Sequence, residues 1–127
     1  MYIAMKHGKF FVGRKNIGSV IEGHIESATP ISIKWNGPGR HPEKKDCPNM
    51  AAIPFGWSYG YDVEFKYKNR TYSMTIHHRT TIKAFMIYLD QLRKARCRAP
   101  EVLTRISFVN EAGRALRPVF EAVKPSE

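Results

Sequence analysis

Asp62, Glu64 and Lys66 alternate along Asp62-Val63-Glu64-Phe65-Lys66, and in an extended strand their side chains share one face. Two carboxylates so placed could hold Mg²⁺ while a lysine orients water, which is similar to the pattern of a metal-dependent nuclease. The pattern is short, and strands with a solvated face carry such triplets by chance. Those nucleases also flank a sheet with helices, for which this chain has too few helical segments. His41-Pro42-Glu43 has the HxE form of a zinc deaminase. The PCxxC that must accompany it is absent, because Cys47-Pro48 runs in the reverse order. His78-Arg79-Thr80 looks like half of a two-histidine phosphoesterase pattern and has no second half. His41 and Cys47 share one stretch, His77, His78 and Cys97 lie elsewhere, and no CxxC or HxxxH spacing gathers them around a metal. The expectation is a non-enzymatic protein with no metal and no cofactor.

Charge is the stronger signal. The chain carries 21 Lys and Arg against 11 Asp and Glu, a net +10 on 127 residues. Nine of the ten excess charges lie in two segments, residues 1–21 and 79–98. A field concentrated in that way favours a polyanion, and nucleic acid is the commonest one. Phosphate binding needs several cations within reach of successive backbone charges. Lys6, Lys9, Arg14 and Lys15 supply them from the first segment; Arg79, Lys83, Arg93, Lys94, Arg96 and Arg98 supply them from the second. A solvated helix with a dipole-compensating tail accounts for two or three of the bases near 93–98 more easily than for four.

Single strands are also gripped by stacking, since every base has a face. Trp35, Trp57 and Tyr59 lie in or beside a stretch that also holds Arg40, Lys44 and Lys45. A loop carrying both types could close over a strand, or Phe55 and Trp57 could simply pin that loop to the core. Tyr61, Phe65, Tyr67 and Tyr72 fall on an apolar face and are expected in the core. Free amides at the start of a helix after His77-His78-Arg79-Thr80-Thr81 could hold a phosphate, although ordinary capping explains the same residues.

The elements that must position these groups are legible in part. A chain of 127 residues with 43 % apolar and 12 % aromatic content fits one domain with a real core. Apolar clusters flank a His7-Gly8 turn within residues 2–12, and strands are expected over 18–25 and 31–35, broken at Thr29-Pro30. Residues 36–60 hold four prolines and four glycines and read as a long irregular loop. Strict alternation over 61–67 and 72–76 predicts a hairpin. A two-residue turn at 68–69 or 69–70 keeps apolar opposite apolar, and a three-residue turn would not. Thr80 or Thr81 can cap a helix over about 81–96, with Ile82, Phe85, Met86, Leu89 and Leu92 on one stripe. Strands follow over 103–109 and 115–123 around Asn110-Glu111-Ala112-Gly113, the last an edge strand because of Pro118. The predicted class is α+β, either a mostly antiparallel sheet or a partly closed, OB-like barrel of about seven strands.

The start of the chain reaches charge before any apolar run of signal-peptide length, no run approaches a membrane span, and two isolated cysteines make no disulfide framework. A cytoplasmic location and no membrane partner are expected. The leading reading is a small nucleic-acid-binding protein, DNA or RNA, suited to single strands. A protein-binding module or inhibitor of a nucleic-acid-processing enzyme, of the kind phages and mobile elements encode, is the alternative, and the nuclease comes third. An exposed edge near Pro118 would suit a homodimer contact.

Overall fold

The computed structural model describes residues 1–47, 49–109 and 117–123, apart from the side chain of Met50. The expected turn at 110–113 therefore lies outside the described residues. Nine strands and one α-helix follow in order: β1 Ile3–Lys6, β2 Lys9–Val12, β3 Lys15–Gly18, β4 Ile21–Lys34, β5 Glu43–Asp46, β6 Ser58–Tyr67, β7 Arg70–Ile76, α1 Arg79–Lys94, β8 Thr104–Val109 and β9 Arg117–Ala122. β1, β2 and β3 form a small meander, and a larger sheet runs β7-β6-β4-β8-β9 with β5 also on β4. All the strand ladders are antiparallel. The fold is α+β, with mostly antiparallel sheets and one helix. Among the described residues one backbone bridge links the two sheets, Tyr2 to Ser73, supported by the Ser73 N–H donating to the Met1 carbonyl at 2.9 Å. Among the described residues no closed barrel is found.

The hairpins form as their turn chemistry dictates. β6 and β7 pair Tyr67 with Arg70, Phe65 with Tyr72, Val63 with Met74 and Tyr61 with Ile76, so the turn is at 68–69. Lys68 and Asn69 both take left-handed backbone, φ 49° and 67°. That geometry matches the twist of the two strands. His7 and Gly8 do the same between β1 and β2, with φ 51° and 74°.

Three expectations need correction. Thr29-Pro30 does not break a strand: β4 runs unbroken for 14 residues. The Pro30 carbonyl accepts the Cys47 N–H at 3.0 Å. A residue's carbonyl and nitrogen face the same edge of a strand, so the donor proline lacks would face away from β6 and its ladder is spared. Residues 36–60 are not one irregular loop, since Glu43–Asp46 adds to β4 as β5 and Ser58 already begins β6. All four β5 residues are exposed, so burial left no alternation to read; the strand is a charged edge held by backbone pairing. The strand count is correspondingly nine among the described residues, against about seven.

The third correction concerns the helix. It starts two residues earlier than expected, His78 is its N-cap, and no side chain caps it. Thr81 is buried inside the first turn instead. Its inward face is Ile82, Phe85, Tyr88 and Leu92, while Met86 is 41 % exposed. Tyr88 can be buried because its hydroxyl shares a 2.7 Å hydrogen bond with the Thr104 hydroxyl of β8. Phe85 is fully buried, with ring contacts to Tyr61 of β6 at 5.2 Å and Phe120 of β9 at 5.1 Å, so one side chain joins the helix to both arms of the sheet. Phe10 and Phe108, 4.9 Å apart, join the small sheet to β8. β9 is an edge strand, as Pro118 implied. Among the described residues no helix is long and apolar enough to cross a membrane.

The helix ends in a Schellman turn: the Arg96 N–H donates to the Arg93 carbonyl at 3.0 Å and the Cys97 N–H to the Leu92 carbonyl at 2.9 Å. Arg96 occupies the left-handed position with φ 57°, where glycine is usual. A Cβ there costs about 1–2 kcal/mol relative to right-handed backbone. Arg96→Gly is therefore expected to raise stability by about 1 kcal/mol, read as a higher urea midpoint at unchanged m-value.

Candidate nucleic-acid interface

The hairpin tip of β1 and β2 sits against the start of α1. Lys6, His7, Thr80, His78 and Arg117 line a common cavity of about 540 Å³. A neighbouring cavity of about 460 Å³ shares Thr80 and Arg117 and adds Lys83. Lys6 and Lys83, from the two basic segments, are thus linked along one surface. Lys9 is exposed beside Lys6 across the turn, where the two are directly paired, and Arg79 is exposed as the first helical residue.

The electrostatics of this end are unusual for a helix. The first intrahelical bond runs from the Ile82 N–H to the His78 carbonyl at 2.8 Å, so the amides of residues 79–81 are the orphan donors of the first turn. The positive end of the dipole normally attracts Asp or Glu. Here the first turn contains no acid and Arg79 stands in it. Local stability would favour the opposite charge, and rules of this kind are broken most often where a function needs it.

The remaining bases are elsewhere. Arg14 and Lys15 are exposed at the β2–β3 turn, the other end of β2 from Lys9. Arg93, Lys94, Arg96 and Arg98 are all exposed at the far end of α1, about 24 Å from its start at 1.5 Å per residue. Arg93 and Lys94 both pair with Asp90, Lys94 at 3.0 Å, and Arg98 lies 3.7 Å from Glu101. Hydrogen bonds from Lys94 and then Arg93 hold the Asp90 carboxyl below the usual range. The fold therefore brings part of the second segment, Arg79 and Lys83, to the N-terminal hairpin and holds its other four bases apart.

The aromatic expectations divide. Tyr59 is only 8 % exposed, and burial raises its hydroxyl pKa, so it belongs to the core and cannot stack on a ligand. Trp57 is half-buried, with the Lys45 ammonium 4.9 Å over its ring. Phe55 does not pin the loop: it is fully exposed at the turn closed by the Trp57 N–H and the Pro54 carbonyl. Trp35 is 52 % exposed at the end of β4 and meets His77 edge-on at 4.9 Å. Arg40 is exposed in the Gly37–Arg40 turn that follows.

Asp62, Glu64 and Lys66 do share the outer face of β6. Asp62 accepts from Lys44 at 3.0 Å and from Thr75 at 3.1 Å, while Glu64 accepts from Ser73 at 3.1 Å. The carboxylates are thus engaged separately, and among the described residues no three His, Cys, Asp or Glu side chains gather into a metal-binding group. Cys47, buried, and Cys97, exposed, are both free thiols.

No protein-family model, curated protein or solved structure matches this chain. Sequence reasoning missed Tyr2 and Arg117, which line cavities because the residue before β1 and the first residue of β9 lie near the start of α1; neither carries a local signal.

Proposed function

We propose that the protein is a small, non-enzymatic nucleic-acid-binding protein that grips phosphates at the surface where the β1–β2 tip meets the start of α1. The observation that carries this is that Lys6 and Lys83 line adjoining cavities at a helix start that has no side-chain cap and no acid, with Lys9 paired to Lys6 and Arg79 in the first turn, in a chain of net charge +10. The bases at 93–98 and at 14–15 extend the positive field without joining this surface, and contribute steering more than contact. The single Tyr2–Ser73 bridge between the sheets supports describing the fold as a partly closed, OB-like barrel, an architecture suited to single strands.

The test is affinity for short single-stranded and duplex oligonucleotides across a salt series. Binding should weaken steeply with salt. The triple variant Lys6→Ala, Lys9→Ala, Lys83→Ala should flatten the single-strand slope by about 2, at about 0.7 per phosphate contact. Removing Arg93, Lys94 and Arg98 should change the slope less. Absence of binding at low salt, or a flat salt dependence in the parent protein, rejects the reading.

The second reading is a module that docks on a protein of nucleic-acid metabolism, for which the fully exposed Phe55 would be a contact residue. A stoichiometric partner that survives nuclease treatment and is lost on Phe55→Ser would select it.

A further inference from the structure

Beside the helix start, on the outer face of the larger sheet, lies a cavity of about 680 Å³ lined by Tyr2, Trp35, His41, Lys44, Thr75 and His77, among others. It adjoins the phosphate surface through consecutive residues, because His77 lines it and His78 lines the cavity at the β1–β2 tip, their rings 4.4 Å apart. Two features of it are unexplained by folding. Trp35 and Tyr2 are 52 % and 44 % exposed, although each could bury far more apolar area in a core. Lys44, finally, is held across β4 by Asp62 and by Thr75 at 2.9 Å, a fixed cation in an aromatic cleft.

We propose that this cleft receives one unpaired nucleobase of a single strand, stacked on Trp35 with Lys44 and the His77 ring at its edge. The inference rests on the nucleic-acid reading above and adds to it a base-recognising site. Charge argues for this occupant over a neutral ring: Lys34 and Arg40, both exposed, bracket the segment carrying Trp35, and Lys44 is inside the cleft, so the phosphates on either side of the base meet cations. Burial first, then the neighbouring His78, lower the His77 pKa; a hydrogen bond to the Thr75 backbone partly opposes them, and Lys44 adds a smaller lowering. The ring is neutral at pH 7 and keeps an acceptor as well as a donor, which suits a base edge better than an imidazolium would.

The probes are a short oligothymidylate and an abasic phosphodiester strand of the same length, at one fixed low salt concentration. The parent protein should bind the base-bearing strand more tightly by on the order of tenfold, the usual effect of one stacked base. Trp35→Ala should bring that strand down to the abasic level, and Trp35→Phe should retain most of the difference. In a Trp57→Phe variant Trp35 is the remaining indole, and the base-bearing strand should quench its emission while the abasic strand does not. Equal, salt-dependent affinity of the parent protein for both strands overturns the base site and leaves the phosphate surface standing. Failure of both strands to bind at low salt overturns both. The parent comparison needs no substitution, so a misfolded variant does not shield the proposal.

Discussion

Gly23→Ala is expected to cost about 3 kcal/mol or more of stability, enough to unfold a marginal domain. Gly23 lies in β4 opposite Thr104 of β8. A Cβ added there would stand 2.2 Å from the Lys66 carbonyl oxygen and 2.8 Å from two carbons of the Phe65 ring. The carbonyl belongs to a laddered strand, and Phe65 is fully buried, so neither can move aside without disturbing the core. The bend of β4, through the register shift between Ile25 and Ser27, brings these backbones so close. Urea unfolding should show a midpoint lower by about 2 M at a slope near 1.5 kcal/mol/M. A loss below about 1 kcal/mol would mean that β4 and β6 do not approach as described.

Phe85→Ala should be comparably severe, about 3–5 kcal/mol, the usual range for emptying a buried phenylalanine site. The site cannot collapse, because its walls come from three elements: the helix itself, Tyr61 on β6 and Phe120 on β9. The same substitution at the exposed Met86, next along the helix, should cost little, since alanine loses almost no burial there and is the better helix former. A helical protein with the expected 82/85/86/89/92 stripe would lose stability at both positions. Thermal melts of the two variants therefore separate the inward face seen here from the one periodicity alone implies. The Phe85 variant also bears on the proposed phosphate surface, because α1 carries Arg79 and Lys83 and the core under Phe85 holds their helix against the hairpin tip.

The parts legible in the sequence share one property: their signal is local. The 61–67 and 70–76 hairpin was readable because alternation and turn length must agree, and every apolar partner predicted for the 68–69 turn is the observed one. His7-Gly8 was readable for the same reason. The existence of α1 followed from periodicity, but its inward face did not. Met86 and Tyr88 lie near opposite sides of the same stripe, and only the Thr104 hydroxyl on a distant strand made tyrosine the better buried residue. β5 was illegible because its four exposed residues carry no apolar pattern and are held by pairing with a strand nine or more positions away. Tyr59 and Trp35 looked equivalent beside the proline-rich stretch, yet one faces the core and the other solvent, a distinction set by which face of each strand the helix covers.

The sequence by itself determined the excess of positive charge and its division into two segments, since charge is a property of composition and position alone. It also determined the two tight hairpins and the antiparallel, one-helix class, through short-range turn geometry and alternation. The tertiary structure decided which of those charges act together. Residues 79–94 fold as a helix about 24 Å long, so its first turn meets the hairpin tip at Lys6, which Lys9 pairs, while the last bases of the segment stand a helix length away. No reading of residue spacing contains that separation, because it follows from where the core anchors the helix.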